Sequence, residues 1–312
     1  MIAARVVALA FLLTVLLVPL VRRAALRVKL VAKPGGRHAH TTPTPLGGGV
    51  ALFLAVWATV AFTLNPLDGR ILGIFLGSLL LFALSLADDF FGLPVLPRLL
   101  GQILVAIIAW HYGVQIKFIT GLFVSHVNLP VLPVGMLSAP FTVLWIVFMI
   151  NAVNWIDGLD GLAAGVIAIA STTLSIMGFV SGNLMVGVAS AALAASCAAF
   201  LLFNFNPARI FMGDSGSMFL GYMVACLSVL GAFKSTALVA VAVPILALGI
   251  PIYDTLSTML GRLWRGQPVH RADRTHFHHR LLDRGLSVRQ TVLTIYGVTA
   301  VLCLIALGLW WR

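Results

Sequence analysis

The sequence predicts an all-α polytopic membrane protein, with about ten transmembrane helices around a cleft that faces the cytoplasm and both termini outside. Three observations predict it. Of 312 residues, 61% are hydrophobic and 9% charged, whereas soluble domains carry about a quarter charged residues. With a mean hydropathy of +1.07, the chain has too little polar matter to cover a water-facing surface. Its apolar residues also gather into stretches close to the roughly 20 residues that a spanning helix needs. Basic residues, finally, concentrate in alternate gaps between those stretches.

The stretches run over 2–20, 46–64, 71–87, 99–113, 139–155, 161–179, 184–203, 215–232, 237–260 and 290–311. The first has a single Arg5 near its start and no small-residue cleavage site after it, so a retained helix is expected there, not a removable signal peptide. Pro, Gly or charge punctuates most gaps. The segment 114–138 mixes Val, Ile, Phe, Pro and Gly, which predicts a short strand-like excursion and not an eleventh span. No linker, composition shift or internal repeat divides the chain, so 1–312 reads as a single integral membrane domain. Cys197, Cys226 and Cys303 all lie in apolar runs and read as small core residues, not a disulfide or metal framework.

Orientation follows from the basic residues. The gaps after the first, third, fifth, seventh and ninth stretches hold Arg22, Arg23, Arg27, Lys29, Lys33, Arg37, Arg98, Arg209, Arg262, Arg265, Arg271, Arg274, Arg280, Arg284 and Arg289. The other side holds Arg5, Arg70, Lys117, Lys234 and Arg312. The richer side is therefore cytoplasmic. The net charge of +11 suits a membrane surface, and no nucleic-acid partner is expected. The nine acidic residues are all Asp, although Glu is the better helix former. Asp88, Asp89, Asp157, Asp160, Asp214, Asp254, Asp273 and Asp283 fall on the basic side, and Asp68 alone on the other. Acids contribute little to the topology rule, so this second asymmetry puts the chemistry on the cytoplasmic face.

Five constellations could carry it. In 86–102, Asp88 and Asp89 end an apolar helix. Adjacent carboxylates repel and are costly near hydrocarbon, so a divalent cation or a cationic partner must offset them; a solubilising helix end is the bland alternative. In 151–165, Asn151, Asn154, Asp157 and Asp160 recur every three residues, a slowly drifting polar stripe on a helix. Gly158 and Gly161 allow close approach of a ligand. A polar packing seam is the rival, but two amides and two carboxylates exceed what a seam needs.

The stretch 203–221 contains Asn204, a candidate substrate-binding amide, Phe211, and Asp214 in a Gly-Asp-Ser-Gly turn leading into a span. The helix N-terminus there could receive phosphate while Asp214 holds a metal. The loop 262–285 carries His270, His276, His278 and His279 among six arginines. Zinc is the rival ligand, but no Cys completes a site and the cations favour an anion. Residues 21–49 form a basic segment suited to anionic head groups, with Pro and Gly leading into the second span. Carboxylates for a hard cation facing an Arg/His anion site at a membrane surface point to phosphoryl transfer, in which Mg²⁺ neutralises charge.

These motifs resemble those of the polyprenyl-phosphate N-acetylhexosamine-1-phosphate transferases, the glycosyltransferase 4 type. The likeness rests on Pro43, Pro45, Gly47 and Gly48 ahead of span two, the Asp pair at 88–89, N-x-x-N-x-x-D-G-x-D-G at 151–161 and F-x-G-D-x-G-S at 211–217. It implies ten or eleven helices around a cytoplasmic cleft in a bacterial inner membrane, with Mg²⁺ or Mn²⁺ as cofactor. It implies that Asp214 ligates Mg²⁺ at the donor diphosphate, that Asp88 and Asp89 handle metal and activate the lipid phosphate, and that Phe211 stacks on uracil. Asn151, Asn154, Asp157 and Asp160 would line the nucleotide side. His276, His278, His279 and Arg280 would stand near the diphosphate, with His278 and His279 catalytic. The basic position ahead of the P-x-P motif falls on Arg37, His38 or His40.

The string T-H-F-H-H-R-L-L at 275–282 lacks the Glu of the peptidoglycan translocases. With R-L-L-G-Q at 98–102 it resembles the undecaprenyl-phosphate GlcNAc-1-phosphate transferase branch, which initiates envelope polysaccharides such as lipopolysaccharide antigens and teichoic acid. The implied partners are a UDP-N-acetylhexosamine, undecaprenyl phosphate and the bilayer, with a homodimer among the open assembly states. A peptidoglycan translocase with a muramoyl-pentapeptide donor is the near rival. A transporter or lipid flippase is the distant one, disfavoured because its ionisable groups would sit near the midplane.

Overall fold

The computed structural model describes residues 1–32, 44–64, 68–119, 132–133, 135–231, 249 and 281–311. The predicted span 237–260 apart from residue 249, the motif residue Pro43, the basic candidates Arg37, His38 and His40, Asp254 and Asp273, and the loop residues His270, His276, His278, His279 and Arg280 lie outside the described residues.

Each other predicted stretch is a helix: α1 (Ile2–Arg27), α2 (Gly48–Thr63), α3 (Gly69–Phe91), α4 (Val95–His111), α5 (Ser138–Ile156), α6 (Leu162–Val180), α7 (Leu184–Asn204), α8 (Gly213–Leu230) and α9 (Val288–Trp311). Among the described residues, seven helices are long and apolar enough to cross a membrane; α2 and α4 are shorter apolar helices. Local chemistry sets the ends. Asp68 accepts a hydrogen bond from the Arg70 backbone and so caps α3. Gly92, at φ 65°, closes α3 with its N–H on the Asp88 carbonyl. Asn183 caps α7 through Val186 N–H. The first helix runs past its expected end near residue 20 to Arg27, because arginines near a helix end can extend to the interface.

Two short antiparallel ladders interrupt the all-helical expectation. β1 (Val31–Ala32) pairs with β2 (Thr44–Pro45), and β3 (Phe118–Ile119) with β4 (Leu132–Pro133). The second lies in the segment expected to be strand-like. The first arises where prolines keep the lead-in to α2 extended.

α8 is the hub, packing on α5, α3 and α2. The shares buried are 83% of its hydrophobic window, 72% for α7 and 67% for α6, but only 22% for α1 and 28% for α9, which wrap the outside. Helices in lipid gain no water-expulsion energy from one another and depend on close contact. Accordingly, a Cβ on Gly49 of α2 would lie 2.4 Å from the Gly216 backbone nitrogen of α8. Tyr222 is fully buried, with its hydroxyl against Gly77. The three cysteines are free and buried, as their apolar setting predicts.

This packing gathers the ends of α3, α5 and α7 and the starts of α4, α6 and α8 at one end of the bundle. Asp68 and the 112–117 turn lie at the other end.

Candidate active site

A cavity of about 300 Å³ opens at that end, lined by Ala32, Leu46, Asp89, Asn154, Asp157, Gly158, Leu159, Asp160, Asn204, Phe211, Gly213 and Asp214. It thus draws on the lead-in to α2, the last turn of α3, the α5–α6 turn and the start of α8. The lead-in is bound directly to the 211–217 motif. Phe211 N–H donates to the Pro45 carbonyl, Gly48 N–H to the Phe211 carbonyl and Gly49 N–H to the Met212 carbonyl, each at 2.9 Å. Pro45 needs no partner for a donor it lacks, and its carbonyl is used.

The two adjacent aspartates do different work. Asp88 is buried; it accepts from Leu93 N–H at 2.6 Å and from Arg98 Nη1 at 2.8 Å. Arg98, in the first turn of α4, is the cationic partner that the pair required. The same nitrogen reaches Asp214 Oδ2 at 3.3 Å. Asp89 instead accepts from two backbone amides at the start of α8, Asp214 N–H at 2.7 Å and Ser215 N–H at 3.1 Å. This corrects the expectation that those amides receive phosphate: a carboxylate of the protein already stands at the positive end of the helix.

Asp214 is held through its side chain as well. Asn154 Nδ2 donates to Asp214 Oδ1 at 2.8 Å and to Ser217 Oγ at 2.9 Å. One helical turn earlier, Asn151 is locked to Gln102, its Nδ2 donating to Gln102 Oε1 at 2.7 Å and to the Val147 carbonyl at 2.8 Å. Asn151 is not among the residues lining the cavity, and its bond to Gln102 ties α5 to α4.

The α5–α6 turn is similarly divided. Asp160 Oδ2 accepts from Asn206 Nδ2 and Ala208 N–H, both at 2.9 Å, bracing the loop before α8. Asn204 accepts from Gly161 N–H at 3.1 Å and donates to the Ile210 carbonyl at 2.9 Å. Asp160 and Asn204 both line the cavity and shape its wall through bonds to the protein itself. Asp157 differs: among the described residues its carboxylate has no hydrogen-bond or ion-pair partner. Burial pushes its pKa well above the usual carboxylate range, and the negative charges of Asp214, Asp89 and Asp160 add to the rise. A half-buried carboxylate facing others of like charge suits a cation.

Among the described residues no three Asp, His or Cys side chains are grouped tightly enough to hold a metal ion by themselves. Of the expected trio Asp88, Asp89 and Asp214, the first is engaged by Arg98 and the second by the α8 amides. The cavity nonetheless suits a hard cation. Asp157 and Asp214 both line it, and Mg²⁺ is usually held by one or two carboxylates together with water and substrate phosphates. Sequence reasoning missed Arg98 and Gln102 as members of the site's framework, treating R-L-L-G-Q only as a subfamily marker; a cation ten residues after an Asp pair was the available signal.

Comparison with known proteins agrees with the motif geometry. The family model described as "Glycosyl transferase family 4" matches residues 71–232. A probable undecaprenyl-phosphate N-acetylglucosaminyl 1-phosphate transferase of Bacillus subtilis is 40% identical over 286 residues, 91% of this chain and 79% of that protein. The decaprenyl-phosphate N-acetylglucosaminephosphotransferase of Mycobacterium leprae is 33% identical over 86% of this chain and 74% of its own length. A phospho-N-acetylmuramoyl-pentapeptide-transferase of Desulforudis audaxviator is 31% identical over 96% of this chain and 95% of its own.

Proposed function

The chain belongs to glycosyl transferase family 4, and on that premise we propose that it transfers N-acetylglucosamine-1-phosphate from UDP-N-acetylglucosamine to undecaprenyl phosphate, releasing UMP. The observation that carries the reading is convergence. Pro45–Gly48, Asp88–Asp89, 151–161 and 211–217 lie far apart in sequence, yet they meet around one cavity. The higher identity to the N-acetylglucosaminyl transferase of Bacillus subtilis than to the muramoyl-pentapeptide transferase favours N-acetylglucosamine as the sugar.

In the reaction an oxygen of the lipid phosphate attacks the sugar-bearing phosphorus of the donor. The bond from that phosphorus to the bridging oxygen breaks, and the oxygen leaves with UMP. Bound Mg²⁺, held by Asp214 and Asp157, would neutralise the diphosphate. Phe211 offers its ring to the uracil. Asp88 and Arg98 form the edge that faces the acceptor phosphate, beside the exposed apolar side chains of Phe90, Phe91, Val95 and Leu96, which suit a lipid arriving from the bilayer. The histidine motif His276, His278, His279 and Arg280 supplies, on the family likeness, the residues expected to meet the diphosphate. The expected count of ten spans takes 237–260 as the ninth, and the basic excess supports a cavity on the cytoplasmic side.

The test is UMP release by purified protein with undecaprenyl phosphate and either UDP-N-acetylglucosamine or UDP-N-acetylmuramoyl-pentapeptide, with and without chelator. Release with the first donor, abolished by EDTA and restored by Mg²⁺, is expected. Release only with the pentapeptide donor would move the chain to the peptidoglycan step, and no release with either would overturn the reading.

A further inference from the structure

We propose that Asp89 is a positioning residue that caps α8 from outside and thereby sets where Asp214 stands. The first N–H groups of any helix lack intrahelical partners, and α8 has no capping side chain of its own: Met212 occupies its N-cap without making such a bond. Asp89, on the last turn of α3, fills the gap with both carboxylate oxygens, to Asp214 N–H and Ser215 N–H. A carboxylate at this end of a helix is favoured by the dipole, and bonds from N–H to an ionised acceptor are among the stronger ones.

The local sequence is fitted to this contact. Gly213 adopts φ 75°, and a Cβ there would lie 2.6 Å from Asp89 Oδ2. Only glycine lets the carboxylate approach so closely. Asp214 is consequently fixed at three points: its backbone by Asp89, and its two side-chain oxygens by Asn154 and Arg98. The Asp pair thus divides its labour. Asp88 meets a side-chain cation beside the acceptor edge, and Asp89 meets a helix end. Asp89 acts on the reaction through Asp214 and not by touching metal or substrate, an assignment that rests on Asp214 being the metal ligand in the proposed reaction.

Hydrogen–deuterium exchange of the full-length protein in detergent, without metal, donor or acceptor, reads the cap directly. In wild type the amides of Asp214 and Ser215 should exchange at least tenfold more slowly than those of Val95 and Leu96, in the first turn of α4, which has no side-chain cap. Asp89→Asn, which keeps one acceptor oxygen, should raise exchange across 213–216. Asp89→Ala should raise it further, and UMP turnover should fall in the same order.

Three results would overturn the proposal: wild-type amides at 214 and 215 exchanging as fast as those at 95 and 96, turnover lost with exchange unchanged, or exchange raised with turnover intact. If Asp89→Ala does not fold, the wild-type comparison and Asp89→Asn still decide. The exchange measurement does not depend on the enzyme's reaction, so a failure of the cap and a failure of the functional reading are separable.

Discussion

The Asn154 side-chain amide is bound to the Asp214 carboxylate at 2.8 Å, joining the last turn of α5 to the first turn of α8 at the rim of the cavity. The bond orients the carboxylate that would hold the cation. Removing a partner of a charged acceptor costs about 1–3 kcal/mol, which corresponds to about tenfold to a hundredfold in rate if the loss falls on the transition state. Asn154→Ala should therefore lower turnover by about that factor at saturating Mg²⁺. Asn154→Asp should be worse, because it adds a like charge beside Asp214. Wild-type turnover in Asn154→Ala, measured as UMP release, would remove Asn154 from the reaction.

Gly213→Ala should destabilise the protein on two counts, a left-handed backbone and the clash with Asp89. A side chain held in a sparsely populated backbone region costs about 1–3 kcal/mol, and the clash adds to it. Combining Gly213→Ala with Asp89→Ala should relieve only the clash. The double variant should then lose less than the sum of the two single losses in thermal unfolding, as neighbouring sites do. Full additivity would mean that the two residues do not meet.

Arg98→Gln should leave Asp88 buried without its cation. Breaking a partly buried ion pair by removing one member is strongly unfavourable, up to about 3–5 kcal/mol when fully buried, and less here because the Arg98 side chain is 29% exposed. Arg98→Gln together with Asp88→Asn should recover much of the lost stability, read as the unfolding midpoint, without restoring turnover. No recovery would show that the arginine stabilises the fold through some other contact.

Asp157 gives a pH signature. Its pKa is raised in the folded protein, chiefly by burial, so the folded state holds the proton more tightly than the unfolded chain. Its contribution to stability is full below the unfolded-state value of about 3.9. That contribution is lost as pH rises through the higher folded-state value. In metal-free protein Asp157→Asn should therefore be more stable than wild type at neutral pH, and the gap should close as pH falls toward about 4. With Mg²⁺ added, wild type should gain more than the variant. A variant less stable than wild type at pH 7 without metal would contradict the isolation of this carboxylate.

Much of the helical fold is legible in the sequence, because a span in lipid must be a long apolar run and each such run among the described residues became a helix. What escaped were the ends and the short ladders. A two-residue strand such as Thr44–Pro45 has no periodicity to read, and α4 begins at Val95, ahead of the expected 99, because Pro94 stands before it as the N-cap and Pro97 is tolerated in a first turn.

That Asp89, Asn154, Asp157, Asp160, Asn204, Phe211 and Asp214 line one cavity accords with motifs legible in the sequence, but their wiring was not legible. Asp88 and Asp89 are chemically identical neighbours in the sequence. Their partners, Arg98 for one and the amides 125 and 126 residues away for the other, exist only once α3, α4 and α8 have packed. The bonds of Asn204 and Asp160 were hidden for the same reason: nothing local reveals that Gly161, Ile210 and Ala208 pair with them.

The backbone bonds from Pro45, Gly48 and Gly49 to Phe211 and Met212 also tie the order of assembly to the order of synthesis. The start of α2 leaves the ribosome early, but its partners arrive only after five further helices have been made. Until then its leading carbonyl and amides must remain in the watery interface, since hydrocarbon would not accept them unpaired. The mouth of the cavity is therefore among the last parts of the described fold to close, and a chain that stalls before α8 cannot have one.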